Sequence, residues 1–137
     1  MNDGHKSKRD ETFRSELGKI EIAPEVIRSI AGLAAGQVDG VVGLGGGGVV
    51  SDLTQLLGMK NEEKSIRVSL EGRTVIDVPI TLLYGHRVTE VGLAVQERVK
   101  EKVETLTGLH VDQVNVRILA VKLPTDTGNT YSVERVR

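Results

Sequence analysis

The chain has 137 residues, 39% of them hydrophobic, which is enough to bury one aliphatic core without disulfide or metal staples. It contains no cysteine, which excludes a disulfide framework and thiol catalysis and limits any zinc site to histidine and carboxylate ligands. Its 18 basic and 19 acidic residues nearly cancel, and the net charge of −1 provides no general attraction to nucleic acid or to anionic lipid.

Two polar segments flank the central part of the chain. Residues 1–17 carry charges of both signs and few hydrophobic side chains, which is typical of a disordered arm, and residues 125–137 indicate a flexible tail. No apolar run approaches the roughly 20 residues that span a bilayer, and the N-terminus lacks the hydrophobic segment of a signal peptide. We therefore predict one folded domain over residues 18–124.

The first half of this domain predicts a strand, a helix and a second strand. Apolar and polar residues alternate over 19–22, as in a short strand. Pro24 suits the first position of a helix, because the missing N–H has no partner there, and Gly36 is a natural stop. The inward positions of this helix are predicted as Val26, Ile27, Ile30, Leu33 and Ala34. A strand over 41–44 follows, and after a glycine-rich stretch a short helix is predicted over 49–57.

The second half predicts a hairpin, a long helix and a last strand. Alternating patterns on either side of Glu71 and Gly72 indicate two strands, over 65–70 and 74–84. Pro79 cannot donate to a ladder, so we expect an edge or a bulge there. The long helix, 89–107, ends before Gly108 and has an inner stripe of Val88, Val91, Val95, Val99, Val103 and Leu106. The last strand is predicted over 111–123, and its residues expected to face the core are Val114, Val116, Ile118 and Ala120.

The order β-α-β-short α-β-β-α-β predicts an α+β fold. Its economical packing is a two-layer sandwich, with the two main helices on one face of a mostly antiparallel sheet. The opposite face of the sheet is expected to be polar and of mixed charge, and to expose Arg67, Ser69, Asp77, Thr81, Asn115 and Arg117.

The glycine-rich stretch GLGGGGVV, residues 43–50, allows three interpretations. A phosphate-binding P-loop needs Lys and a hydroxyl residue after its last glycine, whereas Val49 and Val50 follow here. Gly43, Gly45 and Gly48 match the dinucleotide-binding spacing, and two G-x-x-G runs match the RNA-clamping loop of KH domains, without the expected surroundings of either. We favour a mobile connection and keep nucleotide or RNA binding as the alternative.

The short helix after these glycines is the candidate partner-binding site. It has five large apolar residues among nine, a pattern typical of a lid on the core or of an apolar face that meets another protein. Our partner-binding hypothesis covers Gly45, Gly46, Gly47, Gly48, Val49, Val50, Leu53, Leu56 and Leu57.

Catalytic and metal-binding patterns do not emerge from the titratable residues. His5, His86 and His110 have no second ligand at metal spacing and no oriented partner, and Lys100 and Glu104 indicate an ion pair on a solvated helix face. We therefore predict no catalytic residue, no metal ligand and no cofactor.

Three stretches, in a fixed order, carry a family resemblance. They are GKIEIAPEVIRSIAGLAAGQVDGVVGL, IRVSLEGRTVIDVPITLLYGHRV and VGLAVQERVKEKVETLTGLHVDQVNVRILAVKLP, which together extend through residues 18–124. They resemble the alkaline shock protein family, cell-envelope stress proteins of mainly Gram-positive bacteria. The likeness departs at residues 86–88, where the family begins its helix with Asn or Pro, and we expect that departure to alter the local helix cap.

The resemblance implies a non-enzymatic scaffold or adaptor in cell-envelope stress response or homeostasis. Such a protein is cytoplasmic, gathers at the inner face of the membrane through a small membrane-embedded anchor protein, and forms homo-oligomers. The residues themselves predict no metal and no cofactor, and the near-neutral charge does not favour a nucleic-acid partner. Some relatives are tied instead to the control of fatty-acid synthesis, so the alternatives are a regulator of that pathway and a KH-like RNA- or nucleotide-binding module.

Overall fold

The computed structural model describes residues 12–44, 65–124 and 130–132. Its elements, numbered here in chain order, are β1 (Thr12–Ser15), β2 (Gly18–Glu21), α1 (Pro24–Gly36), β3 (Val41–Leu44), β4 (Arg67–Ser69), β5 (Val75–Leu83), α2 (Val88–Thr107), β6 (Gln113–Lys122) and β7 (Thr130–Ser132). Both helices contact the sheet formed by β3 to β7 and pack against each other, which confirms the predicted α+β fold.

The central strand of the sheet is β5. The strand order is β3-β5-β6-β7, and β4 pairs with β5 on the same side as β3. Three of the four pairings are antiparallel, as predicted, whereas β6 runs parallel to β5 along the whole strand. A parallel neighbour requires a crossover, and α2 supplies it between the two strands.

Pro79 lies in this central strand and not at an edge of the sheet. On one side of β5, β4 pairs with residues 75–77 and β3 with residues 80–82. Pro79 falls between these two short ladders, where a missing N–H removes no bond to either strand. The predicted bulge is found next to it, because the pairing of β5 with β6 shifts between Ile80 and Thr81.

The core lies between the helices and the even-numbered residues of β5. Its fully buried members in that strand are Ile76, Val78 and Ile80, and α2 contributes a stripe of four buried valines, Val91, Val95, Val99 and Val103. From α1 come Ile27 and three alanines, Ala31, Ala34 and Ala35. The small alanine side chains let the α1 backbone approach its neighbours closely.

Four predicted core residues are instead exposed on the helices. Val26 and Leu33 of α1 are 45% and 56% exposed, because the buried stripe follows Ile27 and the alanines on a different face of the helix. Val88 and Leu106 of α2 are also exposed, since they occupy its terminal turns, outside the stretch of buried valines. The apolar periodicity predicted both helices correctly, but the stripe of buried residues predicted for α1 was too wide.

Two further predictions differ from the structure, and the first differs because the pairing of β5 with β6 shifts by one residue of β6. Ala120 is buried, but it pairs with Thr81 on the face opposite the helices, while Val121 pairs with Leu82 and packs against the core. Thr81, predicted as an exposed residue of the polar face, is fully buried. The opposite face is therefore polar only in part, because Thr81, Pro79 and Ala120 are all buried on it.

The helix ends agree with the sequence. Pro24 is the first residue of α1, and Gly108 follows α2 with φ +80, the left-handed conformation expected of a C-terminal glycine. At the start of α2, Arg87 occupies the N-cap position and makes no side-chain capping hydrogen bond. The effect of the departure at residues 86–88 on this cap stays a prediction.

Strands also occur in the segments for which the sequence predicts an arm and a tail. Within residues 1–17, β1 pairs with β2 as an antiparallel hairpin separate from the main sheet. Within residues 125–137, β7 pairs with β6. Strand pairing over a few residues leaves little local signal, so the sequence did not indicate these two strands, and the bounds of the folded domain stay a prediction.

Candidate functional site

The predicted partner-binding residues, Gly45 to Leu57, lie outside the described residues, as does the short helix predicted over 49–57. The hypothesis that they bind a partner stays a prediction. What the structure does describe is the chain entering this stretch, where β3 ends at Leu44.

Gly43, the first glycine of the run, is part of β3 and pairs with Thr81 of the antiparallel strand β5. A KH-type G-x-x-G loop connects two helices, so a run that starts inside a strand does not fit it. The dinucleotide fingerprint likewise follows a strand of a parallel sheet. The KH-type and the dinucleotide-binding interpretations that begin at Gly43 therefore disagree with its position in the sheet. The second G-x-x-G run, over 45–48, lies outside the described residues.

An open groove of about 720 Å³ separates the end of α1 from the first half of α2. Its apolar part comes from Val38, Val91 and Ala94, and its charged residues are Asp39, Arg87, Glu90, Glu97, Arg98 and Glu101. Arg98 Nη1 donates to Gln37 Oε1 at 3.2 Å across the groove, and Arg87 lies 3.7 Å from Glu90. This surface is charged, open and partly self-paired, without an activated nucleophile or an oriented base.

A polar network joins the end of α2 to the starts of β5 and β6. Glu104 Oε2 accepts hydrogen bonds from Lys100 Nζ and from the Val111 backbone N–H, both at 2.9 Å, which confirms the predicted Lys100–Glu104 pair. The hydrogen bond from Lys100, followed by that from Val111, lowers the pKa of Glu104 below its ordinary value. The contact with Val111 was not predictable, because it depends on where β6 begins.

His110 lies between two carboxylates of this network. Its Nδ1 is 3.3 Å from Glu104 Oε2 and its Nε2 is 3.6 Å from Asp112 Oδ1. Each carboxylate also accepts a backbone N–H, since Asp112 Oδ2 binds the Thr74 N–H at 2.8 Å. The network therefore joins the end of α2 to the chain that enters β5 and β6.

Several large apolar side chains of the described residues are exposed to solvent. Among the described residues, nine large hydrophobic side chains are exposed, and five of them fall within residues 13–33: Phe13, Leu17, Ile20, Val26 and Leu33. Sequence reasoning missed this group because it assigned the first two to a disordered arm and the last two to the core. The available signal was the pair Phe13 and Leu17, the strong hydrophobes of an otherwise polar segment.

Residues 12–44, 65–124 and 130–132 contain no group of three or more histidine and carboxylate side chains arranged to hold a metal ion. In the same part of the chain, neither helix has the length and apolar composition needed to cross a membrane.

Comparison with known proteins identifies the family. Residues 12–123 match the alkaline shock protein 23 family, which is described as having a cell envelope-related function. The protein YloU of Bacillus subtilis is 37% identical over 113 residues, which cover 81% of this chain and 94% of YloU. YqhY of the same organism is 34% identical over 112 residues, which cover 81% of this chain and 82% of YqhY.

A more distant relative connects the family to stress. A stress response regulator of Streptococcus pyogenes, a gls24 homolog, is 28% identical over 120 residues, which cover 87% of this chain and 65% of that protein. No solved structure matches significantly. Since the family match covers most of the chain and two relatives exceed 30% identity over most of their own length, the chain belongs to the alkaline shock protein family of cell-envelope stress-response proteins.

Proposed function

We propose that this protein is a non-enzymatic scaffold or adaptor of cell-envelope stress response or homeostasis. It works through protein–protein contacts, both with a small membrane-embedded anchor protein and with further copies of itself. It is a cytoplasmic protein that reaches the inner face of the membrane through that partner. The observation that carries the proposal is the concentration of exposed apolar side chains in residues 13–33.

Exposed apolar area of this kind supports a binding role more than a catalytic one. Contiguous apolar patches on a folded domain usually mark surfaces that meet another protein or a membrane. The groove between α1 and α2 is lined mostly by charged and polar residues, and the network around Glu104 pairs its charged groups with each other. The chain thus offers apolar contact groups, and we assign the contact with the anchor to residues 45–57 on the strength of their sequence pattern alone.

The alternative of RNA or nucleotide binding has less support. Gly43 lies in an antiparallel strand, and the net charge of −1 supplies no excess of basic residues for a phosphate backbone. The other alternative is a regulator of fatty-acid synthesis, which would also act through protein contacts. The identity of the captured partner distinguishes such a regulator from an envelope scaffold.

Capture of the tagged protein from gently solubilised membranes, with mass spectrometry of what accompanies it, tests the proposal. A small membrane protein in near-stoichiometric amount is the expected result. Recovery only from the soluble fraction, together with ribosomal proteins, RNA or lipid-synthesis enzymes, would contradict membrane anchoring.

A double variant, Leu53→Ser with Leu56→Ser, locates the contact. We expect capture of the membrane protein to fall while the melting temperature is retained. The matched control is Leu106→Ser, which removes an exposed leucine of α2 and should leave capture unchanged. Unfolding of the double variant would mean that these leucines belong to the core, and the assignment of residues 45–57 would fail.

A further inference from the structure

One edge of the main sheet is paired only in part. Strand β6 pairs with β5 along its whole length, whereas on its other side β7 pairs only with residues 120–122. Within the described ranges 12–44, 65–124 and 130–132, no strand lies beside residues 114–119 on that side. We call residues 114–119 of β6 the open edge.

The direction of the backbone groups along the open edge follows from two hydrogen bonds. Gln113 N–H donates at 3.2 Å to the carbonyl oxygen of the residue that precedes β5, so the backbone of Gln113 faces β5. Backbone groups alternate in direction along a strand, so those of Val114, Val116 and Ile118 face away from β5. The Val114 C=O agrees with this, because it accepts a hydrogen bond from the Gln96 side chain of α2 at 2.9 Å.

The open edge is bounded at both ends. At one end the Gln96 side chain covers the Val114 carbonyl, and at the other end β7 begins to pair at Ala120. Between these points, the N–H and C=O groups of Val116 and Ile118 face outward, and such groups readily pair with another strand. A separate strand of ordinary length, about five or six residues, would meet the end of β7 in this gap, whereas a continuation of β7 would not.

We propose that residues 133–137 of the same chain, which lie outside the described residues, occupy the open edge as a continuation of β7. Strand β7 is antiparallel to β6 with Ser132 opposite Ala120, so a chain that continues straight beyond Ser132 runs along β6 toward Asn115. Five residues follow Ser132 in the sequence. At about 3.3 Å per residue they extend about 17 Å, which is the length of β6 from Ala120 back to Asn115.

The composition of this segment, VERVR, suits an outermost strand. It contains neither glycine nor proline, and two of its residues are valine, a type that favours strands. The other three residues are charged, and charged side chains on an outermost strand hinder its pairing with further chains. The C-terminus thereby serves as a cover of the sheet edge. This assignment does not depend on the proposed scaffold role.

Amide hydrogen exchange of the full chain, resolved by residue, tests the proposal. The compared variant is Glu134→Pro with Arg135→Pro, because N–H groups alternate along a strand and one of these two would point toward β6. The amides of Val116 and Ile118 should be protected in the wild-type chain and should exchange at least about tenfold faster in the variant.

The amides of Asn115 and Arg117 are the internal control. Their backbone groups face β5, so their exchange should be slow and equal in the two proteins. Rapid exchange of Val116 and Ile118 in the wild-type chain, or equal exchange in the variant, would overturn the proposal. Protection that rises with protein concentration would also overturn it, because a second copy would then cover the edge.

A second experiment uses the absence of cysteine from the chain. Asn115→Cys is combined with Arg137→Cys, and a short thiol-specific crosslinker should join the two thiols within one chain. The matched control combines Arg137→Cys with Glu101→Cys, an exposed position of α2 at its groove with α1, and should give little crosslinking. Equal yields from the two pairs, or crosslinks mainly between chains, would show that the C-terminus does not lie along β6.

Discussion

The helix-covered body of this protein and its N-terminal hairpin use apolar side chains in opposite ways. In the body, Ile76 of β5 and Val99 of α2 are fully buried between the two layers. In the hairpin, Phe13 and Ile20 form a cross-strand pair and remain more than half exposed. The body therefore contains the contacts that stabilise it, while the hairpin presents contacts that another surface can complete.

The largest expected effect is a difference in the free energy of unfolding between a core variant and a hairpin variant. Ile76→Ala removes a fully buried side chain and leaves a cavity, so the free energy of unfolding should fall by about 2–5 kcal/mol. Ile20→Ala in the hairpin should change it by no more than about 0.5 kcal/mol in dilute solution, where the chain is single. Urea unfolding of both variants measures the difference. Similar losses for the two would mean that the hairpin belongs to the cooperative core.

A second comparison uses one glycine from each region. Gly40 has φ +97, and a Cβ atom there would lie 2.9 Å from Val91 Cγ2 and 3.0 Å from His86 Cδ2. Gly40→Ala should therefore lower stability by about 2–3 kcal/mol through backbone strain and overpacking. Gly18 in the hairpin has φ +134 and open space around it. Gly18→Ala should leave the melting temperature of the body unchanged, and a drop as large as that of Gly40→Ala would contradict the comparison.

A third prediction concerns a polar group inside the body. Thr81 is fully buried, and its Oγ1 has no hydrogen-bond partner among the described residues. Replacing the hydroxyl by a methyl group removes the cost of burying it, so Thr81→Val should raise the free energy of unfolding by about 1 kcal/mol. Thr12→Val in the hairpin serves as the matched change at a more exposed position. Chemical denaturation measures the free energy of unfolding of both variants. A loss of stability in Thr81→Val would show that the Thr81 hydroxyl does have a hydrogen-bond partner.

The smallest effect is electrostatic and depends on pH. The pKa of Glu104 is lowered by its hydrogen bonds from Lys100 and Val111, so its contribution is complete above the ordinary value of 4.5 and is lost as pH falls through the lowered value. Glu104→Gln should cost about 1 kcal/mol or less at pH 7, because solvent screens the partly exposed pair.

Stability curves of wild type and Glu104→Gln from pH 7 to pH 3 measure this contribution. The two curves should converge below pH 4.5, where the wild-type carboxylate takes up its proton. The matched control is Glu16→Gln in the turn of the hairpin. A constant difference between the curves across the whole range would exclude the carboxylate charge as its cause.

Sequence reasoning succeeded where a short segment contains its own signal. Pro24 and Gly108 mark helix ends because backbone geometry at those positions favours these residue types. The β4–β5 hairpin followed from two alternating runs around Gly72, which adopts φ +73. The predicted partner-binding residues begin at Gly45, directly after the last described residue of β3. Only the binding experiments can therefore test that hypothesis.

Sequence reasoning failed where a distant element decides the environment. Leu33 fits the apolar period of α1 as well as Ile27 does, but only Ile27 faces the sheet and α2. Ala120 and Val121 exchange faces because β6 contains one extra residue opposite the Ile80–Thr81 step of β5. A bulge of this kind reverses every later side chain, and no local pattern indicates it.

By itself, the sequence determined the α+β class, the bounds of both helices and the family to which the chain belongs, because periodicity, terminal residues and motif order are properties of contiguous segments. Only the tertiary structure decided that β5 is central and parallel to β6, that Thr81 is buried, and that Phe13 and Ile20 share an uncovered face. These features depend on which segments meet in space, and burial is a property of both partners of a contact.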